Sequence, residues 1–525
     1  MAIEALVLTA GQYSAQHFGK TTLLSVLVAL IAYLISNEVV RSRAKVRGMP
    51  GPRGLPIIGN LWDIWSNAAS QYEKWAQVYG DVYQVQMGNV PVVVVNSAAA
   101  AKTLWTSHSQ ALSSRPTAYT FHKASDVASN TAGLTIGTSP YDDSLKRRKK
   151  GLAVAVNRPA IQSYVPYLDM ESKTFVEDLM NYGEAGKVAI DPLPMIQRLS
   201  LSLAMTINWG VRVPSHKSKL FKEIVEVEEE LNRFRSTTGN LQDYIPLLRL
   251  NPVNKTSAKA REMRDRRDHY LRTLNDELAE KVAMGTNKPC IQANVISYKE
   301  ETLSDAELIS LSLTVLGGGF ETVSSTVQYS MAFLAQHPEI QDQAFKAICE
   351  FQGSDNPLCD ASDDQKCVYI NSLAKEALRY FTVIPLNLPR KSIRDIEYDG
   401  VLIPEGTTFY MNAMACNHDR ELWSDPEVFR PERWSEKPDA PVFTFGLGYR
   451  MCSGHLLAAR ELYLVFMRLL SSFRLEIHGQ VDTNPRTAMR NPRDLIMSPN
   501  RYRILCVPRN EQLLRQALAD HKSEQ

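Results

Sequence analysis

The stretch from Phe445 to Gly454, FGLGYRMCSG, sets one cysteine among glycines with an arginine two residues before it. Gly446 and Gly448 on one side and Gly454 on the other place Cys452 where backbone must pass close to something flat or bulky. The residues that follow, GHLLAARELYLVFMRLLSSF, carry apolar side chains at helical spacing, so Cys452 falls at or near a helix N-terminus. The partial positive charge there favours a thiolate. A thiolate so placed suits axial ligation of a haem iron, with Arg450 pairing a propionate. Such ligation pushes electron density onto the iron and favours O–O cleavage. The plainer fate of a lone cysteine is to pack as a small buried hydrophobe.

A second unusual set lies upstream. SDAELISLSLTVLGGGFETVSSTVQYSMAFLAQHP opens with a capping box, Ser304 with Glu307, and stops before Pro338, which predicts one helix of about nine turns. Gly317, Gly318 and Gly319 cost such a helix about 3 kcal/mol relative to alanines. Some group must therefore approach its backbone closely. Glu321 and Thr322 follow directly. A helix-packing notch is the alternative reading of the glycines.

The elements that must position these residues are mostly helical. Periodic stretches dominate from Ser163 to Gln352, whereas VYQVQMG and VPVVVVN, joined at Gly88-Asn89, read as a β-hairpin. Ile396 to Tyr410 returns to short strands, with Asp399-Gly400 as a tight turn. The fold class is mainly α with small β-sheets. No repeat or linker interrupts the body, taken as one domain over 61–525.

The N-terminus differs in kind. Thr21 to Val40 is nearly uncharged and close to the length that spans a bilayer, and Arg41, Arg43, Lys45 and Arg47 behind it hold the following chain on the cytoplasmic side. Residues 1–47 read as a membrane anchor with its basic flank, and the proline- and glycine-rich 48–60 as a hinge. Seven cysteines without a C-x-x-C pair fit a reduced, cytosol-facing body. A formal net charge of +2 over 525 residues gives no electrostatic case for nucleic acid.

Taken as F-x-x-G-x-R-x-C-x-G, the residues Phe445, Gly448, Arg450, Cys452 and Gly454 resemble the haem-binding signature of the cytochrome P-450 superfamily. The resemblance implies the P-450 fold, haem b with Cys452 as the iron ligand, and monooxygenase chemistry that uses O2. It implies an oxygen-binding helix with a groove at Gly318, and proton delivery to iron-bound dioxygen by Glu321 and Thr322. Arg390 in LPRKSIRD takes the position of a second propionate partner, and Glu376, Arg379 and Arg433 that of the family's proximal ion-pair lock. Glu-x-x-Arg alone means little, since it recurs at Glu38, Glu230 and Glu427. No flavin or dinucleotide fingerprint is visible, so the resemblance implies electrons from a separate NADPH–cytochrome P-450 reductase. It also implies single-pass attachment to the endoplasmic reticulum membrane.

The chain departs from the family at SLKRRKKG. There Lys146, Arg147, Arg148, Lys149 and Lys150 stand where a tryptophan–arginine pair is usual, so no single residue is assigned to a propionate. SSRPTAYTFH, IGTSPYDDSLKRRKK and NRPAIQSY are similar to segments of fungal phenylacetate and 3-hydroxyphenylacetate hydroxylases. That points to ring hydroxylation of a small aromatic acid, with Tyr119 to Gly137 lining the pocket and His122 or Lys123, rather than Arg115, meeting the carboxylate. The alternatives are a biosynthetic monooxygenase of an aromatic metabolite and a membrane haem protein that senses a ligand.

Overall fold

Valine-rich β1 (Val82–Met87) and β2 (Val90–Val95) pair antiparallel from Val82↔Val95 to Met87↔Val90, and the chain reverses at Gly88 with φ +54°. The structure is a computed structural model that describes residues 2–122, 135–251, 255–297 and 303–523. Side chains are not described at 2–19, 21, 121–122, 256–257 and 522–523. β3 (Arg390–Lys391), β4 (Ile396–Tyr398), β5 (Val401–Ile403) and β6 (Thr408–Met411) follow late in the chain. β6 runs parallel to β2, giving a sheet of order β1-β2-β6-β3. This buries the C-terminal half of β2 on both faces, as its unbroken valines require. β4 and β5 form a hairpin whose turn residues, Asp399 and Gly400, have φ +50° and +73°, the positive pair of a type I′ turn. β7 (Phe473–His478) and β8 (Arg503–Pro508) make a third small sheet.

Helices supply the rest of the body. Arg158–Tyr182, Leu193–Trp209, Val368–Phe381 and His455–Ser472 pack around the largest apolar cluster, in which Leu199, Val327, Phe381 and Phe466 are fully enclosed.

The helix expected from Ser304 to Pro338 forms with both halves of its capping box, but it is not continuous. Asp305–Gly319 and Glu321–Leu334 meet at Phe320, where ψ is −70°. The cause is local. Glycines hold the helix weakly, and the Thr322 hydroxyl donates to the Gly318 carbonyl at 2.8 Å, offering that oxygen a partner outside the backbone ladder. Half of its most apolar stretch is buried, which marks it as a core helix.

At the N-terminus, Ala2–Ala44 is one helix whose apolar part, Thr22–Ala44, is only 6% buried and long enough to cross a membrane. Its last turns nevertheless touch the body: Asn89 Nδ2 donates to Asn37 Oδ1 at 2.7 Å, and Arg41 is buried. The following segment is strapped down rather than loose. Val46 and Met49 join the apolar cluster beneath the β-sheet, and the Gln84 amide bonds both the N–H and C=O of Val46 and the C=O of Met49.

Candidate active site

The loop before helix His455–Ser472 is held open by backbone. Gly448 has φ +63°, and a Cβ there would sit 2.0 Å from the Trp105 carbonyl, so no other residue fits. Gly446 takes φ +67°, and the Cys452 N–H closes the loop onto the Phe445 carbonyl at 2.8 Å. The helix begins three residues after Cys452, as its apolar spacing predicts. Cys452 is exposed, but its surface faces an internal cavity of about 330 Å³ rather than bulk solvent. The expected thiolate is not set by the helix terminus alone. Burial pushes the Cys452 thiol above its ordinary pKa against the smaller opposing pull of the Gly454 N–H. Coordination to a cation would deprotonate it.

Opposite residues of the same cavity come from the broken helix: Gly317, Gly318, Gly319 and Thr322. The three glycines have different reasons. A Cβ at Gly317 would lie 3.3 Å from Glu228 Oε2, one at Gly319 would touch Ala204, and Gly318 faces open space. Gly318 thus leaves space on the cavity side of this helix. Glu321 and Thr322 part company, however. Thr322 lines the cavity shared with Cys452, whereas Glu321 lines a separate small cavity with Glu229, Asn232 and Arg490. Burial, then Glu228 and Glu229, raise the Glu321 carboxyl well above the usual range, which favours its protonated form.

Cations crowd the cavity beside the cysteine loop. Arg115, Lys149, Arg390 and Arg450 all line it, and none has an ion-pair partner among the described residues. They rest instead on carbonyl oxygens: Arg115 on Leu388 and Pro389, Lys149 on Tyr449, Arg390 on Leu447, and Arg450 on Ser113, Ile136 and Ser139. Among the described residues, buried Arg115 Nε and Arg390 Nη1 find no hydrogen-bond partner. Burial lowers Lys149 to about 8, Arg390 to about 9 and Arg450 to about 10, and repulsion from Arg450 adds to the first two. Such a cluster is unfavourable unless anions neutralise it. Two carboxylates of a flat cofactor whose metal meets Cys452 satisfy both demands, so the residues present fit haem.

Within the charge run the structure separates roles the sequence left open. Lys146 pairs with Asp143 at the surface, Arg147 pairs with Glu307, and Arg148 turns inward to Ser310. Lys149 alone of the run lines the cavity. Arg115, passed over in favour of His122 and Lys123, lines it too, as do Arg235 and Glu461, which carry no motif in the sequence. No local pattern marks these residues, since they meet across elements distant in sequence. Lys123 lies outside the described residues, as does the side chain of His122.

Behind the cysteine loop, Glu376 is fully buried and accepts hydrogen bonds from Arg379 Nε and Nη2 at 2.8 Å, Arg433 Nε at 3.1 Å, Trp434 Nε1 at 3.0 Å and the Arg430 N–H at 2.8 Å. Arg379 and Arg433 give their remaining donors to backbone carbonyls of residues 417 to 428. Asn417 then carries the network to the loop by bonding Thr444 and accepting the Phe443 N–H.

The cytochrome P450 family model matches residues 49–506. The chain is 56% identical to 3-hydroxyphenylacetate 6-hydroxylase of Emericella nidulans over 99% of its length and all of that protein's. It is 38% identical to phenylacetate 2-hydroxylase of the same organism, covering 94% of this chain and 96% of the relative. A cytochrome P450 monooxygenase of Mycosarcoma maydis is also 38% identical, with 93% and 92% covered. With a family match over nearly the whole body and full-length likeness to hydroxylases, the chain belongs to the cytochrome P450 family, the monooxygenases that carry haem on a cysteine thiolate.

Proposed function

We propose that the protein inserts one oxygen atom from O2 into the ring of 3-hydroxyphenylacetate or phenylacetate, drawing electrons from NADPH through a separate reductase. The observation that carries the reading is one cavity that joins the Cys452 sulfur, four unpaired cations and the glycine-opened helix at Gly318 and Thr322. The 56% identity to 3-hydroxyphenylacetate 6-hydroxylase over the full length supports that substrate class. Haem, when bound, supplies the O2 activation that side chains cannot.

The chain's residues have separable tasks. Cys452 is the iron ligand, and its thiol gives up the proton that burial otherwise keeps on it. Arg390 and Arg450, with Arg115 and Lys149, hold the propionates and lose their mutual repulsion in doing so. Phe445 and Gly454 border the cavity beside the cysteine, and Gly448 lets the loop pass close against the Trp105 carbonyl. Thr322 holds a proton at Oγ1 on the cavity side, while Glu321 holds one at its enclosed carboxyl on the other side of the same turn. Together they can pass protons inward without admitting bulk water. The apolar helix Thr22–Ala44 anchors the chain to the endoplasmic reticulum membrane with the body in the cytosol.

Incubation of the purified chain with reductase, NADPH, O2 and 3-hydroxyphenylacetate tests the reading. The expected result is a ring-hydroxylated product heavier by one oxygen, formed with a reduced, carbon monoxide-bound Soret band of the thiolate type. Absence of turnover with any arylacetate overturns the substrate, and Cys452→Ser retaining that band overturns the ligand.

A further inference from the structure

Glu321 faces a different space from Thr322, and that second cavity is lined largely by polar side chains. Its volume of about 20 Å³ is enough to take a water molecule, and Ile496 lines both it and the Cys452 cavity. Asn232 fixes this shared wall by bonding both the C=O and the N–H of Ile496, at 3.1 and 2.8 Å. Ser325 and Ser498, whose hydroxyls meet at 2.9 Å, close another side.

One hydroxyl of the lining is left over. On helix Glu321–Leu334, Thr322, Thr326 and Ser330 each donate to the carbonyl four residues earlier, the common outlet for such side chains inside a helix. Ser324 does not: its Oγ is buried and, among the described residues, has no hydrogen-bond partner. A buried hydroxyl without a partner is destabilising, and a water in the cavity supplies one. Glu229 and Arg490 also line the cavity, a loose pair 3.8 Å apart whose side chains are 32% and 37% exposed. Glu229 therefore brings a part-exposed carboxylate to the space that holds Glu321.

We propose that this cavity seats a water between Ser324 and Glu321, through which Glu229 resupplies protons to Glu321. A proton taken from solvent by Glu229 passes to the water as the water gives one to Glu321, so each O–H bond broken is matched by one formed and the water is unchanged. Burial, then Glu228 and Glu229, favour the protonated form of Glu321, so the transfer runs inward. Ile496 stands between this water and the Cys452 cavity, which lets protons arrive without bulk solvent following them. The inference rests on the reading of Glu321 as a proton donor given above.

Infrared difference spectroscopy of the haem-loaded full-length protein tests it. The C=O stretch lost in Glu321→Gln marks the protonated carboxyl, and its shift after rapid transfer to D2O gives the rate of proton exchange. Glu229→Gln, which removes the intake, and Ser324→Val, which replaces the hydroxyl with methyl groups that fill the cavity, are each expected to slow that exchange by about tenfold or more. Glu229→Asp keeps a carboxylate and is expected to stay within about threefold of the unsubstituted protein. Both slowed variants are expected to divert more NADPH equivalents to hydrogen peroxide, with the spin-shift Kd for 3-hydroxyphenylacetate held within about twofold. The part-exposed Glu229 variants decide alone if the valine variant loses haem. Exchange unchanged in Glu229→Gln, or slowed as much in Glu229→Asp, overturns the inference and leaves Glu321 standing as the donor. If Glu321→Gln loses no C=O band and raises no peroxide, the donor reading is overturned together with it.

Discussion

Glu376→Gln measures how far the cysteine loop depends on the ion-pair network behind it. The carboxylate accepts from two guanidinium groups, an indole N–H and a backbone N–H, and it has no exposed surface. Glutamine keeps the shape but loses the charge and turns an NH2 toward those donors. Two buried guanidinium groups are then left without their counter-ion, at a cost of about 3 to 5 kcal/mol. The same Glu-x-x-Arg spacing gives an internal control. Glu230 and Arg233 pair at 2.7 Å with side chains 28% and 54% exposed, so Glu230→Gln costs under about 1 kcal/mol. Urea titrations of both variants, followed by tryptophan fluorescence and by the Soret band, compare the two losses directly. Because Asn417 links the network to Thr444 and Phe443, the Glu376 variant is also expected to lose haem at lower urea. If the two variants lie within about 1 kcal/mol of each other, the reasoning from burial is refuted.

Thr322→Ala removes the hydroxyl that faces the cavity and is expected to keep substrate Kd within about twofold while diverting NADPH equivalents to hydrogen peroxide, with Thr322→Ser restoring coupling; lost binding with intact coupling contradicts this. In the haem-free protein, Lys149 has its pKa lowered from 10.5 to about 8, so the unfolded chain binds the extra proton between those values and stability rises with pH across that window. Lys149→Met is expected to stabilise the haem-free form at pH 7, to flatten the rise above pH 8, and to speed haem loss from the loaded form; an unchanged slope refutes the assignment. Deletion through Ser36 is expected to release haem-binding protein from membranes. Deletion through Met49 strips the Gln84 amide of its partners and is expected to cost about 1 to 3 kcal/mol per buried group, so equal stability of the two truncations contradicts the strap.

What the sequence determined by itself are features whose physics is local. The loop around Cys452 is legible because Gly448 can be nothing else at φ +63° against the Trp105 carbonyl, and because the helix behind it announces itself by apolar spacing. The hairpin turns at Gly88 and at Asp399-Gly400 and the capping box at Ser304 are short-range in the same way. Tertiary structure alone decided which charges face the cavity. Lys149 is chosen over Lys146 and Arg148 by the direction in which one helix face meets the cysteine loop, and Arg115, Arg390 and Arg450 converge from three separate segments. It also decided that Glu321 and Thr322, adjacent in sequence, serve different cavities, because neighbours on a helix point about 100° apart. Of the Glu-x-x-Arg copies, Glu376–Arg379 is sealed while Glu230–Arg233 lies at the surface, and Arg430 leaves its Glu427 for Glu436. Spacing sets whether two side chains can meet, but burial sets what the meeting is worth, and burial is a property of everything packed around them.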